Sequence, residues 1–133
     1  VAWPLGTGKT AMLDARDVGG VAAGVLAGEG HAGQADILTG PALLDFLEGA
    51  LRMGAVLECP VCYVAQSPEA CREVLGQFIQ SAWQLDAVCE LFAEIAAGSL
   101  EEQNSTTADL LDRPALDLES FTRQFAGAFQ PVD

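Results

Sequence analysis

The chain has 133 residues, half of them hydrophobic, and a mean hydropathy of +0.27, which suits one folded domain and excludes a disordered or fibrous protein. Its net charge of −13, from 19 acidic and 6 basic side chains, makes nucleic acid and anionic membrane surfaces poor partners. Charged residues or glycine interrupt every apolar run, and no basic segment leads into an apolar stretch at the start, so the sequence predicts neither a transmembrane helix nor a secretory leader.

Short strands separated by helices are predicted along the first half of the chain. Strands are predicted at residues 10–13, 35–38 and 61–64, with helical patterns between them. Strands that alternate with helices favour an α/β fold, in which the strands run parallel.

The first predicted helix follows Asp17, which stands where an N-cap belongs and can accept hydrogen bonds from the next turn. Apolar residues then recur at helical spacing up to Gly28, which can close the helix in a left-handed conformation. Gly19, Gly20 and Gly24 weaken this helix by propensity. We expect them to allow close approach of a neighbouring backbone.

The remaining elements are predicted to be helical. Pro41 suits the first turn of a second helix, Ser67 caps a third, and Asp117 caps the terminal one. The pattern leaves open whether the long helix after Ser67 breaks near Ser81. The polar stretch 101–107 is predicted to be a surface loop.

Two glycine clusters resemble nucleotide-binding motifs only in their letters. Residues 6–10 match the end of a P-loop, but Trp3 stands where its first glycine belongs, and the loop leads into a predicted strand. Residues 28–33 fit G-x-G-x-x-G, but they follow a helix and precede a strand. A dinucleotide needs the opposite order, because its pyrophosphate sits on the amino end of the helix. We therefore predict that neither cluster binds a cofactor.

The four cysteines are too few for a disulfide scaffold and favour a reducing cytoplasm, with Cys71 and Cys89 on buried helix faces. Cys59 and Cys62 form a C-x-x-C, the spacing of a redox pair or half a zinc site. The pair enters a predicted strand, which points its thiols in different directions, and there is no second close pair to complete a zinc site. A structural role is favoured, and no metal site is predicted.

Acid–base and nucleophilic chemistry also find little support in the sequence. His31 is the only histidine and lies in a polar loop without an acid or nucleophile at suggestive spacing. Tyr63 is the only tyrosine, and Ser67 stands where a Tyr-x-x-x-Lys pair would place its lysine. No catalytic residue is predicted in this chain.

The order of the segments resembles the NmrA-like family of atypical short-chain dehydrogenase/reductases. The resemblance rests on D-x-R-D at residues 14–17, followed by a small-residue helix, and on L-T-G-P at residues 38–41. It continues through residues 61–64 and 67–69 and returns at 111–114 and 118–129, so that it covers nearly the whole chain.

The resemblance implies a helix-rich fragment of a Rossmann-type fold, with about three short parallel strands and a helical carboxyl-terminal lobe. Residues 1–133 would form a single domain, with strands and helices alternating over 1–66 and the helical lobe at 67–133. Asp17 would cap the helix beside the substrate cleft. Thr39, Gly40 and Pro41 would form a loop near that cleft, and Phe78 and Trp83 would line it.

The family also implies a function that this stretch does not perform alone. In complete members a preceding Rossmann half binds NADP or NAD, so no cofactor is expected in this chain itself. We expect it to be the substrate-side part of a reductase, with a small-molecule substrate and either the missing Rossmann half or further copies of itself as partners. The alternative is a non-catalytic binding or regulatory module, either an NADP sensor or a self-associating fragment.

Overall fold

A computed structural model describes residues 1–129, which form short strands and a larger share of helix. The predicted α/β class with an excess of helix is confirmed. In chain order the elements are β1 (Ala2–Trp3), β2 (Lys9–Thr10), α1 (Ala15–Ala27), β3 (Leu44–Asp45), α2 (Phe46–Leu57), β4 (Val64–Ala65), α3 (Pro68–Leu75), α4 (Ala82–Ala96), α5 (Thr106–Leu111), α6 (Leu118–Gln124) and a 3₁₀ turn (Ala126–Phe129).

The strands form two pairs, each only two residues long. β1 runs parallel to β4, with Ala2 opposite Val64 and Trp3 opposite Ala65. β2 runs antiparallel to β3, so the prediction of parallel strands holds for one pair and is wrong for the other. The Tyr63 hydroxyl donates a 3.0 Å hydrogen bond to the Trp3 carbonyl oxygen and so supports the parallel pair.

The predicted strands are shorter than expected, and one is not formed. The strand expected at 10–13 is reduced to β2, and the strand expected at 61–64 begins only at Val64. Residues 35–38 have no regular secondary structure. The Asn104 side chain donates to the Ile37 carbonyl oxygen at 3.1 Å, and Ile37 is 60% exposed. Residues 35–38 are therefore bonded to the loop that contains Asn104, and not to a neighbouring strand.

The cap of α1 is Asp14, and the prediction of Asp17 is wrong. The Asp14 carboxylate accepts from the Arg16 backbone N–H at 2.8 Å, whereas Asp17 lies inside the first turn. The sequence offers an aspartate at either end of D-x-R-D, and tertiary contacts recruit the second one elsewhere. Gly28 closes the helix in an extended conformation, with φ −92°, rather than the predicted left-handed one.

Side-chain caps start α2, α3, α4 and α6, whereas Ser105 before α5 makes no capping hydrogen bond. α2 begins at Phe46 behind Asp45, several residues after Pro41. Ser67 caps α3 by accepting from the Ala70 N–H, and Asp117 caps α6 by accepting from the Ser120 N–H. The break that the sequence left open lies at Ser81, whose hydroxyl caps α4.

The helices pack against one another in pairs. α2 lies against α6, α1 against α5, and α3 against α4. The Trp3 and Phe92 rings meet edge to face at 5.2 Å between centroids, which joins β1 to α4. Cys71 is 2% exposed and Cys89 is half-buried, in line with the helix faces predicted for them. None of the helices in the described part of the chain is long and apolar enough to cross a membrane.

Candidate functional site

The D-x-R-D segment makes a hydrogen-bonded start to α1. The Arg16 guanidinium donates to the Asp14 carboxylate, with Nη2 2.6 Å from Oδ2. The same guanidinium lies 5.3 Å from the centre of the Phe125 ring, which brings the end of α6 to this point. The hydrogen bond from the Arg16 side chain lowers the pKa of Asp14 to about 2.

Asp17 is a buried anchor for the other end of the chain. Its side chain is 0% exposed, and Oδ1 accepts from Arg113 Nη2 at 2.6 Å. Its second oxygen, Oδ2, accepts from the Leu116 backbone N–H at 2.6 Å. The loop between α5 and α6 is thereby fixed to α1.

Two adjoining cavities lie beside this junction. The first, of about 200 Å³, is bounded by residues 12–15, by residues 116–118 and by Phe121. The second, of about 130 Å³, lies over α2. Met12 and Leu118 line both cavities, and we call the combined space the apolar trough. The second cavity is lined by Val1, Met12, Phe46, Gly49, Ala50, Met53 and Leu118.

The lining of the trough is suited to an apolar ligand. Asp14 and Asp117 are the two carboxylates in its wall, and both are engaged in capping helices. Asp117 accepts from the Ser120 N–H at 2.7 Å, and hydrogen bonding by Ser120 lowers the pKa of its carboxyl. Neither carboxylate is placed to act as a base at neutral pH. The trough is therefore a mainly apolar space whose carboxylates offer no acid–base pair.

The predicted loop at residues 39–41 lies close to the trough without lining it. The Thr107 hydroxyl donates to the Thr39 carbonyl oxygen at 2.8 Å, and the Asn104 N–H donates to the Thr39 hydroxyl oxygen at 3.0 Å. A Cβ on Gly40 would fall 1.8 Å from the Met12 carbonyl oxygen. The loop is thus packed directly behind the backbone of Met12, whose side chain lines the trough.

Pro41 is also part of this fixed loop, because its carbonyl oxygen accepts from the Gln103 side chain at 2.7 Å. Phe78 and Trp83 lie elsewhere, Phe78 in the turn between α3 and α4 and Trp83 in the first turn of α4, and they are 76% and 79% exposed. Residues 39–41 and this aromatic pair do not meet in either cavity of the trough.

The glycine clusters do not fit a dinucleotide diphosphate. The Lys9 N–H is bound to a carboxylate oxygen of Glu101 at 3.1 Å, and that negative charge would repel a phosphate. A Cβ on Gly8 would fall 1.8 Å from the Ile95 carbonyl oxygen, so this glycine serves packing against α4. Residues 28–33 form a loop after α1, and no helix begins at its end.

The trough was not predicted, since its walls come from three distant parts of the chain. Met12 follows β2, Gly49 lies in α2, and Leu118 begins α6. A local signal was nevertheless present in α2. Phe46, Gly49, Ala50 and Met53 recur at helical spacing, and the small residues among them leave a hollow in an otherwise apolar stripe.

Comparisons with known proteins show what the chain is similar to. No family model matches the chain. It is 34% identical over 126 residues to an NAD(P)H azoreductase of Xenophilus azovorans, covering 95% of this chain and 44% of that protein.

Solved structures show the same fold. An NADPH-dependent quinone oxidoreductase from Escherichia coli superposes with a TM-score of 0.80 and 20% identity, over 93% of this chain and 45% of the other. A Citrobacter sp. triphenylmethane reductase complexed with NADP(H) superposes with a TM-score of 0.78 and 19% identity, over 95% and 44%. The chain thus matches the carboxyl-terminal part of NAD(P)H-dependent reductases, in line with the resemblance, and spans less than half the length of the relatives named above.

Proposed function

We propose that this chain is the substrate-side part of an NAD(P)H-dependent reductase that acts on conjugated aromatic acceptors. The observation that carries the proposal is the apolar trough, whose two carboxylates are occupied as helix caps. The azoreductase, quinone oxidoreductase and triphenylmethane reductase named above support the aromatic class of acceptor.

In the proposed reductase, Met12, Phe46 and Leu118 would bind the flat face of the acceptor and displace water from it. Hydride transfer is the chemistry of a nicotinamide cofactor, and the protein contributes orientation and a dry cleft. Glu101 on the Lys9 N–H, and the absence of a helix after residues 28–33, argue against a diphosphate at either glycine cluster. We therefore propose that NADP or NAD is held by a separate dinucleotide-binding part, and that this chain alone neither binds the cofactor nor catalyses reduction.

The trough can be tested by filling it. A Cβ at Gly49 would lie 3.5 Å from Met12 Cε and 3.6 Å from Leu118 Cδ2, so a larger side chain would project into the space between them. Equilibrium dialysis with a naphthoquinone should show binding that Gly49→Leu weakens by about tenfold or more, equivalent to about 1.4 kcal/mol.

A matched control is Gly24→Leu, which also places leucine in a helix but has open space at its Cβ. This variant should bind the naphthoquinone like the unchanged chain. Equal binding by Gly49→Leu would reject the trough as the acceptor site, and so would equal weakening by both variants.

Cofactor binding can be tested separately by titration calorimetry with NADPH. The unchanged 133-residue chain should give no binding heat, because the Lys9 N–H already holds Glu101 and residues 28–33 lead into no helix. Micromolar affinity would overturn this part of the proposal and leave the assignment of the trough intact.

We further propose that a partner covers two exposed aromatic side chains, Phe78 in the α3–α4 turn and Trp83 at the start of α4. Phe78 and Trp83 lie five positions apart and are more than three-quarters exposed, which is costly for side chains of this size. A dinucleotide-binding part or a second copy of the chain would remove them from water. Self-association without acceptor binding would favour the alternative function, a non-catalytic regulatory module.

A further inference from the structure

A third cavity, of about 370 Å³, brings together three sulfur-bearing side chains. Cys59 and Cys62 line it from the loop after α2, and Met53 lines it from the last turns of that helix. The remaining lining is apolar, with Val1, Leu57, Pro60, Val61 and Phe129. Cys59 and Cys62 therefore border the same cavity, together with Met53.

The loop that carries the thiols is held at both ends. At its start, Glu58 has a left-handed conformation with φ +53°, and the Cys59 N–H donates to the Gly54 carbonyl oxygen at 3.2 Å. A Cβ on Gly54 would lie 2.9 Å from the Cys59 carbonyl oxygen, so the loop rests directly on the helix.

At the other end of the loop, the Cys62 carbonyl oxygen accepts from the Val1 nitrogen at 2.7 Å. The Val64 N–H donates to the Val1 carbonyl oxygen at 2.8 Å, which continues the pairing of β1 with β4. Fixing both ends lowers the entropy cost of bringing the two thiols and the thioether onto one ligand.

The chemistry of these donors selects a particular class of ion. Both thiols are free and exposed. Residues 1–129 contain no group of three or more His, Cys, Asp or Glu side chains that could hold a metal, which disfavours zinc and harder ions. Thiolate and thioether ligands are those that Cu(I) prefers. The net charge of −13 also raises the local concentration of cations.

We propose that Cys59 Sγ, Cys62 Sγ and Met53 Sδ bind one soft monovalent cation of the Cu(I) class. Each thiol loses its proton to solvent as it binds, while the thioether remains neutral. Two thiolates and one monovalent cation leave the site with a single negative charge. No oxidation state changes in this step.

The first test is anaerobic competition for Cu(I) between the reduced chain and a chromogenic Cu(I) chelator. Cys59→Ser and Cys62→Ser should each lower the affinity by about tenfold or more. The double variant Cys71→Ser/Cys89→Ser retains both proposed ligands and should bind Cu(I) like the unchanged chain. Binding that survives loss of Cys59 or Cys62, or that falls equally in the control, would overturn the proposal.

The second test asks whether Met53 is a ligand. The chain has two methionines, so selenomethionine labelling of the Met12→Leu variant places selenium at Met53 alone. X-ray absorption at the selenium edge should then show a copper neighbour when Cu(I) is bound. A spectrum without copper would overturn the three-donor site. Circular dichroism before and after labelling checks that the fold is retained.

Discussion

Arg113 and Asp17 are 96 positions apart in the sequence, yet Arg113 Nη2 donates a 2.6 Å hydrogen bond to Asp17 Oδ1. The Asp17 side chain is fully buried, while that of Arg113 is 45% exposed. Because Asp17 also holds the Leu116 N–H, the pair positions the segment that forms one wall of the apolar trough.

Removing the Asp17 carboxylate should lower the free energy of unfolding by more than an ordinary surface substitution does. In Asp17→Ala, the Leu116 N–H loses its hydrogen-bond acceptor. Arg113 loses the carboxylate that pairs with its charge at a buried position. We expect the free energy of unfolding to fall by about 3 kcal/mol, as measured by urea denaturation. A loss below about 1 kcal/mol would show that the junction contributes little to stability.

The control for this variant is an exposed ion pair. Arg72 Nη2 lies 2.5 Å from Asp86 Oδ1, with side chains 47% and 63% exposed. Water screens such a pair, so Arg72→Ala should change the free energy of unfolding by less than about 1 kcal/mol in the same experiment.

Asp14 should make the stability of the chain depend on pH in the acidic range. Its pKa is lowered from 3.8 to about 2 in the folded chain, chiefly by the hydrogen bond from Arg16. A lowered folded-state pKa means that its stabilisation is complete above about pH 4 and is lost as the pH falls toward 2.

Asp14→Asn should therefore flatten the fall in stability between about pH 4 and pH 2, because asparagine still caps a helix but does not titrate there. Urea denaturation at several pH values measures this slope. An unchanged slope in Asp14→Asn would contradict the assigned role of Arg16.

Glycines that look alike in the sequence should respond in opposite ways to alanine. At Gly24 in α1 an added Cβ meets open space, and the same holds at Gly19, so the expected close approach of another backbone is wrong for both. Gly24→Ala should stabilise the chain by about 0.5–1 kcal/mol.

At Gly40 the added Cβ would collide with the Met12 carbonyl oxygen at 1.8 Å. Gly40→Ala should destabilise the chain by about 2 kcal/mol or more, because backbone must move to admit it. Thermal unfolding followed by circular dichroism compares the two variants directly. A similar response from both would mean that the loop at residues 39–41 is not packed as described.

Features that depend on local chemistry were largely predictable from the sequence. Ser67 and Asp117 stand directly before apolar residues at helical spacing, and each accepts from the N–H three residues later. D-x-R-D offered two candidate caps, and local propensity could not rank them. Asp14 is the cap because Asp17 is buried against Arg113, a contact with a residue far away in the sequence.

Features that depend on distant contacts could not be predicted in this way. The sequence predicts a strand at residues 35–38, but a strand also needs a partner backbone, and the Asn104 side chain binds this segment instead. The apolar trough needs Met12, Gly49 and Leu118 to converge, and no spacing along the sequence encodes that meeting.

The exposed aromatic side chains lead to a prediction about association. Phe78 and Trp83 are 76% and 79% exposed, and burying both in a contact between copies would remove a large apolar area from water. We expect the chain to elute as a dimer or larger species in size-exclusion chromatography with light scattering. The double variant Phe78→Glu/Trp83→Glu should shift it toward monomer, since each charge would have to be desolvated in the contact.

The matched control is Leu26→Glu, which adds the same charge at a side chain that is 87% exposed at the end of α1. It should leave the association unchanged if the contact is confined to the α3–α4 turn and the start of α4. A monomeric unchanged chain would contradict self-association, and an equal shift by Leu26→Glu would show that charge alone, rather than burial of Phe78 and Trp83, controls it.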